Sequence, residues 1–191
     1  MKKIIKQEGY TFVELLAVIV VMVTVGTVIA SILVSTLRTG NKNSALSDIR
    51  QNGNSAISQM SKMIEYAQRF NGVSASSGAP FTSCFISPPG SLTPTPQPTK
   101  YYYVKITSFD GNQTTFGCFN TVLASMSSTL GEIPLVPANT DANCYFLCTQ
   151  DSPSTPPTIQ INLTLSTKDR GRLSENNASI NFVTTVTVRN Y

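Results

Sequence analysis

One carboxylate stands where hydrocarbon is expected. Glu14 opens an apolar run that carries no further charge from Leu15 to Leu37. A carboxylate held in hydrocarbon costs on the order of a few kcal/mol. A group that expensive demands something positive: the amide end of a helix, or an amine. The other reactive side chains are Cys84, Cys118, Cys144 and Cys148, all C-terminal to the run. In an oxidising compartment an even count favours disulfides, and four cysteines allow three connectivities. The preferred pairing is Cys84–Cys118 with Cys144–Cys148, because the first joins two strand candidates and the second closes a short loop. A four-cysteine zinc site is the alternative, but the spacings of 34, 26 and 4 lack paired C-x₂-C knuckles. A catalytic dithiol wants C-x-x-C at a helix start, which C-x₃-C in a loop does not supply.

The remaining chemistry is sparse. The chain has 191 residues and no histidine, so it lacks the commonest general base and metal ligand. Neither a nucleophile–base constellation, a phosphate loop nor a metal motif occurs, and no enzyme activity, cofactor or metal is expected. The net charge of +4 is mild. Outside the first nine residues it falls to +2, with 11 basic and 9 acidic groups, which gives no case for a nucleic-acid surface. Lys168, Arg170 and Arg172, opposite Asp169 and Glu175, read as solvated loop charges, with an anion or DNA contact as the alternative. Tyr101, Tyr102 and Tyr103 read as a strand with alternate rings facing in and out; an adhesive aromatic patch is the other reading.

These groups must be held by elements, and the first element is the apolar run. Its 23 residues exceed the ~20 that span a bilayer as a helix. A signal peptide has an apolar region of only about 7–15 residues and a small-residue cleavage site; this run is longer and no A-x-A site closes it. Lys2, Lys3 and Lys6 precede it, while Arg38 and Lys42 follow it. The leading lysines set the N-terminus on the cytoplasmic side.

The segment Gly9-Tyr-Thr-Phe-Val-Glu14-Leu-Leu resembles the processing motif of type IV pilins and of the pseudopilins of type II secretion. In that family a short basic leader ends in Gly, a membrane peptidase cuts after it, and the new N-terminal residue, usually Phe, is N-methylated. The resemblance implies cleavage after Gly9, a methylated Tyr10, and Glu14 as the fifth mature residue. Tyr for Phe is a departure, though an aromatic one. The match covers roughly residues 1–40. The ending NFVTTVTVRNY also resembles the close of many minor pilins and pseudopilins and implies a minor or J-like subunit. The resemblance further implies that Glu14 of one subunit pairs with the Tyr10 amine of a neighbour. Low dielectric strengthens such a pair, and removing one member is costly.

Beyond Arg38 the helix is expected to continue. Ala45, Ile49, Ala56, Met60, Met63, Ile64 and Ala67 recur at helical spacing, with polar residues between them. Gly26 and Gly40 are candidate soft spots and Gly53 a weak point. Phe70-Asn71-Gly72 is a stop signal, so the helix would run from Tyr10 to Phe70, about 90 Å long. After residue 72 the chain reads as strands and loops. FTSCFI (81–86) is a strand candidate, followed by a Pro-rich connection at 87–100. Residues 101–109 and 113–120 form a hairpin around Asp110-Gly111. Residues 121–143 show no period. Ile159, Ile161, Leu163 and Leu165 line one face of a strand; Ile180, Phe182, Val186 and Val188 line another. KDRGRLSENN (168–177) connects them.

The expected fold is α+β: a long N-terminal helix, transmembrane in its first half and amphipathic in its second, packed on an antiparallel β-sheet head. The expected domains are a leader at 1–9, an assembly helix at 10–38, its amphipathic continuation at 39–71 and an exported head at 72–191. The resemblance implies a structural subunit of a pilus or secretion pseudopilus. Its partners would be the prepilin peptidase/methylase, other pilin-like subunits, the inner-membrane assembly machinery and the membrane. The rival is a signal-anchored surface binding protein that never polymerises.

Overall fold

A computed structural model describes residues 9–85, 100–168 and 178–190. The leader before Gly9, most of the Pro-rich connection, and Asp169, Arg170, Arg172 and Glu175 lie outside the described residues. The chain divides into two compact units between Asn41 and Lys42. A single helix, α1 (Phe12–Glu65), contributes to both and passes Gly26, Gly40 and Gly53 without interruption.

In the first unit every residue from 12 to 41 is exposed. By length and composition this stretch can cross a membrane. Its hydroxyls turn back onto the helix: Thr24 donates to Val21 O at 2.9 Å, Thr27 to Thr24 O at 2.8 Å, Ser31 to Val28 O at 2.8 Å and Thr36 to Ile32 O at 2.9 Å. Such back-bonding satisfies a hydroxyl without water, which suits an apolar surround.

Among the described residues the second unit holds the remainder of α1 and nine strands, all paired antiparallel: β1 (Arg69–Ser74), β2 (Lys100–Tyr101), β3 (Tyr103–Thr107), β4 (Gln113–Phe119), β5 (Val122–Ser127), β6 (Gly131–Pro134), β7 (Thr140–Thr149), β8 (Thr158–Thr167) and β9 (Ser179–Thr187). They form two sheets rather than one, ordered β1-β3-β4-β5-β6 and β2-β7-β8-β9. Ile49, Gly53, Ala56, Met60 and Ile64 are the buried face of α1. They recur every three or four residues, as one helix face must. They share a core with Val104, Ile106 and Phe116 of the first sheet and Phe146, Ile159, Ile161, Leu163 and Leu165 of the second. The chain is therefore an α+β protein with a long N-terminal helix whose second half packs on antiparallel sheets.

Several local expectations change. Met63 is 39% exposed and does not belong to the buried face. The helix stops at Glu65, five residues before Phe70, because Gln68 already donates its N–H to Thr107 O at 2.9 Å and the chain joins the first sheet. Gly72 serves a bulge in β1 instead of a helix stop. Its φ of +120° excludes ordinary side chains, and Thr82 O closes the space a Cβ would need. Among its described residues, 81–85, FTSCFI supplies only a bridge, Val73 to Thr82. The three tyrosines part company: Tyr101 enters the second sheet opposite Phe146 and is buried, Tyr103 enters the first, and Tyr102 between them is 45% exposed. The Asp-Gly hairpin forms as expected, with Ser108 N–H on Asn112 O and Gly111 at φ +79°.

Candidate functional site

No described cavity gathers catalytic groups, so the candidate site is the start of α1. Thr11 precedes the first helical residue, and Glu14 donates its N–H to Thr11 Oγ1 at 3.3 Å. Thr11 O accepts from Glu14 at 3.1 Å and from Leu15 at 3.2 Å. Thr11 is therefore the N-cap and Glu14 the third residue of the helix. Thr-x-x-Glu at those positions is the sequence of a capping box, and Glu14 sits in the first turn where the helix dipole favours an anion. Glu14 is the only charged residue between Gly9 and Arg38. Gly9 and Tyr10 are exposed just ahead of the cap, Tyr10 at 83%. The structure thus brings Gly9, Tyr10 and Glu14 within one turn of the helix start. The cap itself escaped the sequence reading, although Thr-x-x-Glu was legible there.

No family model, curated protein or solved structure matches the chain. What the chain does must therefore be argued from its own residues.

The cysteines pair as Cys84–Cys148 and Cys118–Cys144, with Cα–Cα distances of 5.4 and 5.8 Å. This overturns the expected Cys84–Cys118 and Cys144–Cys148. Cys144 and Cys148 lie four residues apart on one strand, β7. At about 3.3 Å per residue they are some 13 Å apart, far beyond the ~7 Å Cα limit for a bridge. Both point to the inner side of β7 and are buried. Cys144 reaches β4 of the other sheet. Cys148 reaches Cys84, two residues beyond the Thr82 bridge to β1. Each disulfide ties the second sheet to an element beside or within the first. With all four sulfurs in disulfides, none remains as a thiolate to bind zinc.

Two further contacts hold α1 to the second sheet. Gly53 faces the ring of Phe182 on β9, so closely that any Cβ there overlaps the ring. At the helix end Arg189 pairs with Glu65 at 2.8 Å and lies 4.6 Å from the centroid of Tyr66. The Arg189 N–H donates to Glu65 O at 3.2 Å and Asn190 Nδ2 to Ala67 O at 3.1 Å. The Arg-Asn ending thus satisfies carbonyls at the C-terminus of α1, where a cation is favoured. Lys168 is exposed.

Proposed function

We propose that the chain is a pilin-like structural subunit, of minor or pseudopilin type, that is cut after Gly9 and assembles through residues 10–41. The observation that carries this reading is an uncovered helix segment, exposed along its whole length, whose only charge before Arg38 sits at the capped helix start. An apolar surface of that extent requires lipid or other protein chains around it. Lipid covers the side chains and leaves Glu14 only a partial partner in its own Tyr10 amine; a neighbouring subunit cut at the same bond gives both cover and a second amine. The head, braced by two disulfides, faces the oxidising side. Before assembly the subunit crosses the cytoplasmic membrane once, with its N-terminus inside. The prepilin peptidase and the inner-membrane assembly machinery act on that state.

Capping and charge pairing by Glu14 are separable. The cap is the Thr11 hydroxyl accepting from the Glu14 backbone N–H, so Glu14→Gln and Glu14→Ala both keep it and lose the charge, and Gln also keeps the capping-box sequence. Both variants are expected to be processed normally and to fail to enter the polymer, while replacing Gly9 blocks processing. Mass spectrometry of the mature N-terminus and recovery of the chain in sheared polymer give the two readouts. Wild-type incorporation of Glu14→Gln sinks the charge-pair role. A mature chain that retains residues 1–9 favours the non-polymerising anchor instead.

A further inference from the structure

Among the described residues the two sheets have four outer strands, and β1 and β6 are blunted in ways that discourage pairing with other chains. β1 is bulged at Phe70/Gly72 and bridged by Thr82. The described part of β2 is Lys100 and Tyr101. β6 has four, with Glu132 and Pro134 among them. β9 has nine residues, and its register with β8 runs unbroken from Thr158↔Thr187 to Ser166↔Ser179. From Ala178 to Val188 it contains neither charge nor proline.

The hydrogen bonds show which groups of β9 face outward. Val188 donates to Pro157 O, and Ala178 O accepts from Thr167, both on the β8 side. Backbone groups alternate along an antiparallel strand, so even-numbered residues face β8. Ser179, Asn181, Val183, Thr185 and Thr187 therefore turn their N–H and C=O to the outer edge. All five are exposed, and among the described residues no protein hydrogen bond reaches these groups. The next odd residue, Arg189, gives its N–H to Glu65 O and closes that end. On the inner side, Ile180 and Phe182 are only half-buried, although their partners Leu165 and Leu163 are fully buried. Beside the edge lies a cavity of about 490 Å³, lined by Ser61, Glu65, Pro156 and residues 185–189. Ser61 Oγ is buried there without a hydrogen-bond partner.

We propose that the outer edge of β9 docks an extended segment of a different polypeptide, which adds a fifth strand to the sheet β2-β7-β8-β9. The edge offers alternating donors and acceptors over about 27 Å. The complementary segment is free of proline and charge over that length. Its alternate apolar side chains lie beside Ile180 and Phe182. A second copy of β9 is a poor occupant. Gly53 meets Phe182 and Glu65 meets Arg189, so α1 and β9 run in the same direction. Antiparallel pairing of two β9 edges about a two-fold axis sets the two helices antiparallel, against the parallel assembly proposed above. The choice of a different chain rests on that reading; the open edge does not.

The test places a photo-crosslinking residue at Asn181, Val183 or Thr185 of the full chain in the cells that make it, with crosslinks mapped by mass spectrometry. The expected result is a single segment of one other polypeptide, contacted at positions that advance by two residues from probe to probe. Val183→Pro removes one outward N–H without touching the β8 ladder. It is expected to lower the crosslink yield from Thr185 about tenfold, the effect of one lost hydrogen bond, while Val183→Thr keeps the yield. Asn181→Lys, an exposed charge on the edge strand, is expected to lower it as well, and it carries the test where the proline chain fails to fold. A yield unchanged in Val183→Pro and Asn181→Lys, crosslinks only to a second copy, or contacts scattered without a two-residue step overturn the proposal. Polymer recovery scores the assembly reading separately, so edge crosslinks that persist in a Glu14→Ala chain support the docking edge even where assembly is lost.

Discussion

Removing one disulfide at a time tests the two-sheet brace. The bridges are nested: Cys118–Cys144 closes a 26-residue separation inside the 64-residue separation of Cys84–Cys148. In the chain-entropy account a 26-residue loop is worth about 3.5 kcal/mol at 25 °C. With the inner bridge closed, the outer one constrains an effective loop of about 38 links, worth about 4 kcal/mol. A domain of ordinary stability has ~5–15 kcal/mol in total, so either loss removes a large share and both together are expected to unfold the second unit. The variants are Cys118→Ala/Cys144→Ala and Cys84→Ala/Cys148→Ala, in the full chain in detergent. Near-ultraviolet circular dichroism in urea follows the packed tyrosines. It avoids the far-ultraviolet signal, to which the apolar first part of α1 contributes. Each double variant is expected to lose about 3–4 kcal/mol, the outer pair at least as much as the inner. A non-reducing peptide map that joins Cys84 to Cys118 or Cys144 to Cys148 refutes the pairing. A loss below about 1 kcal/mol for either pair refutes the energetic reasoning.

Other outcomes follow from single contacts. Gly→Ala in a helix interior normally stabilises by about 1 kcal/mol, but at Gly53 the new methyl must displace the Phe182 ring. Gly53→Ala is expected to destabilise by about 1 kcal/mol alone and to stabilise in a Phe182→Ala background; additive effects in thermal melts would count against the contact. Thr121 sits at φ +67°, which is costly for a β-branched residue. Thr121→Gly is expected to raise stability by about 0.5–1 kcal/mol in the same melts, and a loss above that size would mean that its exposed bond to Asp141 matters more. The side-chain amide of Asn112, and then its N–H, hold the Asp110 carboxyl below its ordinary range. Because that folded-state value is depressed, the associated hairpin stability is present above the ordinary carboxylate range and is lost as pH falls through the lower value. Asn112→Ala is expected to move the Asp110 titration upward in an NMR pH series, and an unmoved titration refutes the assignment.

The parts of the fold legible in the sequence are those with a strong period or a complete turn signal. The charge-free run gives the first half of α1. Alternation gives β8 and β9 and their inner faces correctly, from Ile159 to Leu165 and from Ile180 to Val188. Asp110-Gly111 gives the β3–β4 hairpin. β5 escapes because its turn is Asn120-Thr121: both residues adopt positive φ, yet the glycine that usually marks such a turn is missing. Thr121 is held there by β7, through Ala142 N–H on its carbonyl at 2.7 Å and through Asp141. That is tertiary information. The cysteine pairing fails for a related reason. A separation of four looks like a tight loop until Cys144 and Cys148 are known to share an extended strand. Gly53 looks like a flaw until the ring of Phe182 occupies the space a side chain would take.

The N-cap changes what cleavage after Gly9 has to accomplish. On the proposed reading the cut leaves Thr11 in place, so the helix start keeps its N-cap and Glu14 keeps the third helical position. The new amine belongs to Tyr10, one residue before the cap. In a single subunit Glu14 already has the helix dipole and the capping position, and these offset part of its cost in a bilayer. On the same reading, that lets the subunit wait in the membrane. They do not neutralise its charge, and a neighbour's amine does so more completely where water is excluded. The carboxylate is thus tolerable alone and better satisfied in company, which is the energetic ordering an assembling subunit needs. Glu14→Gln isolates the second half of that ordering, since it preserves the cap and abolishes only the charge.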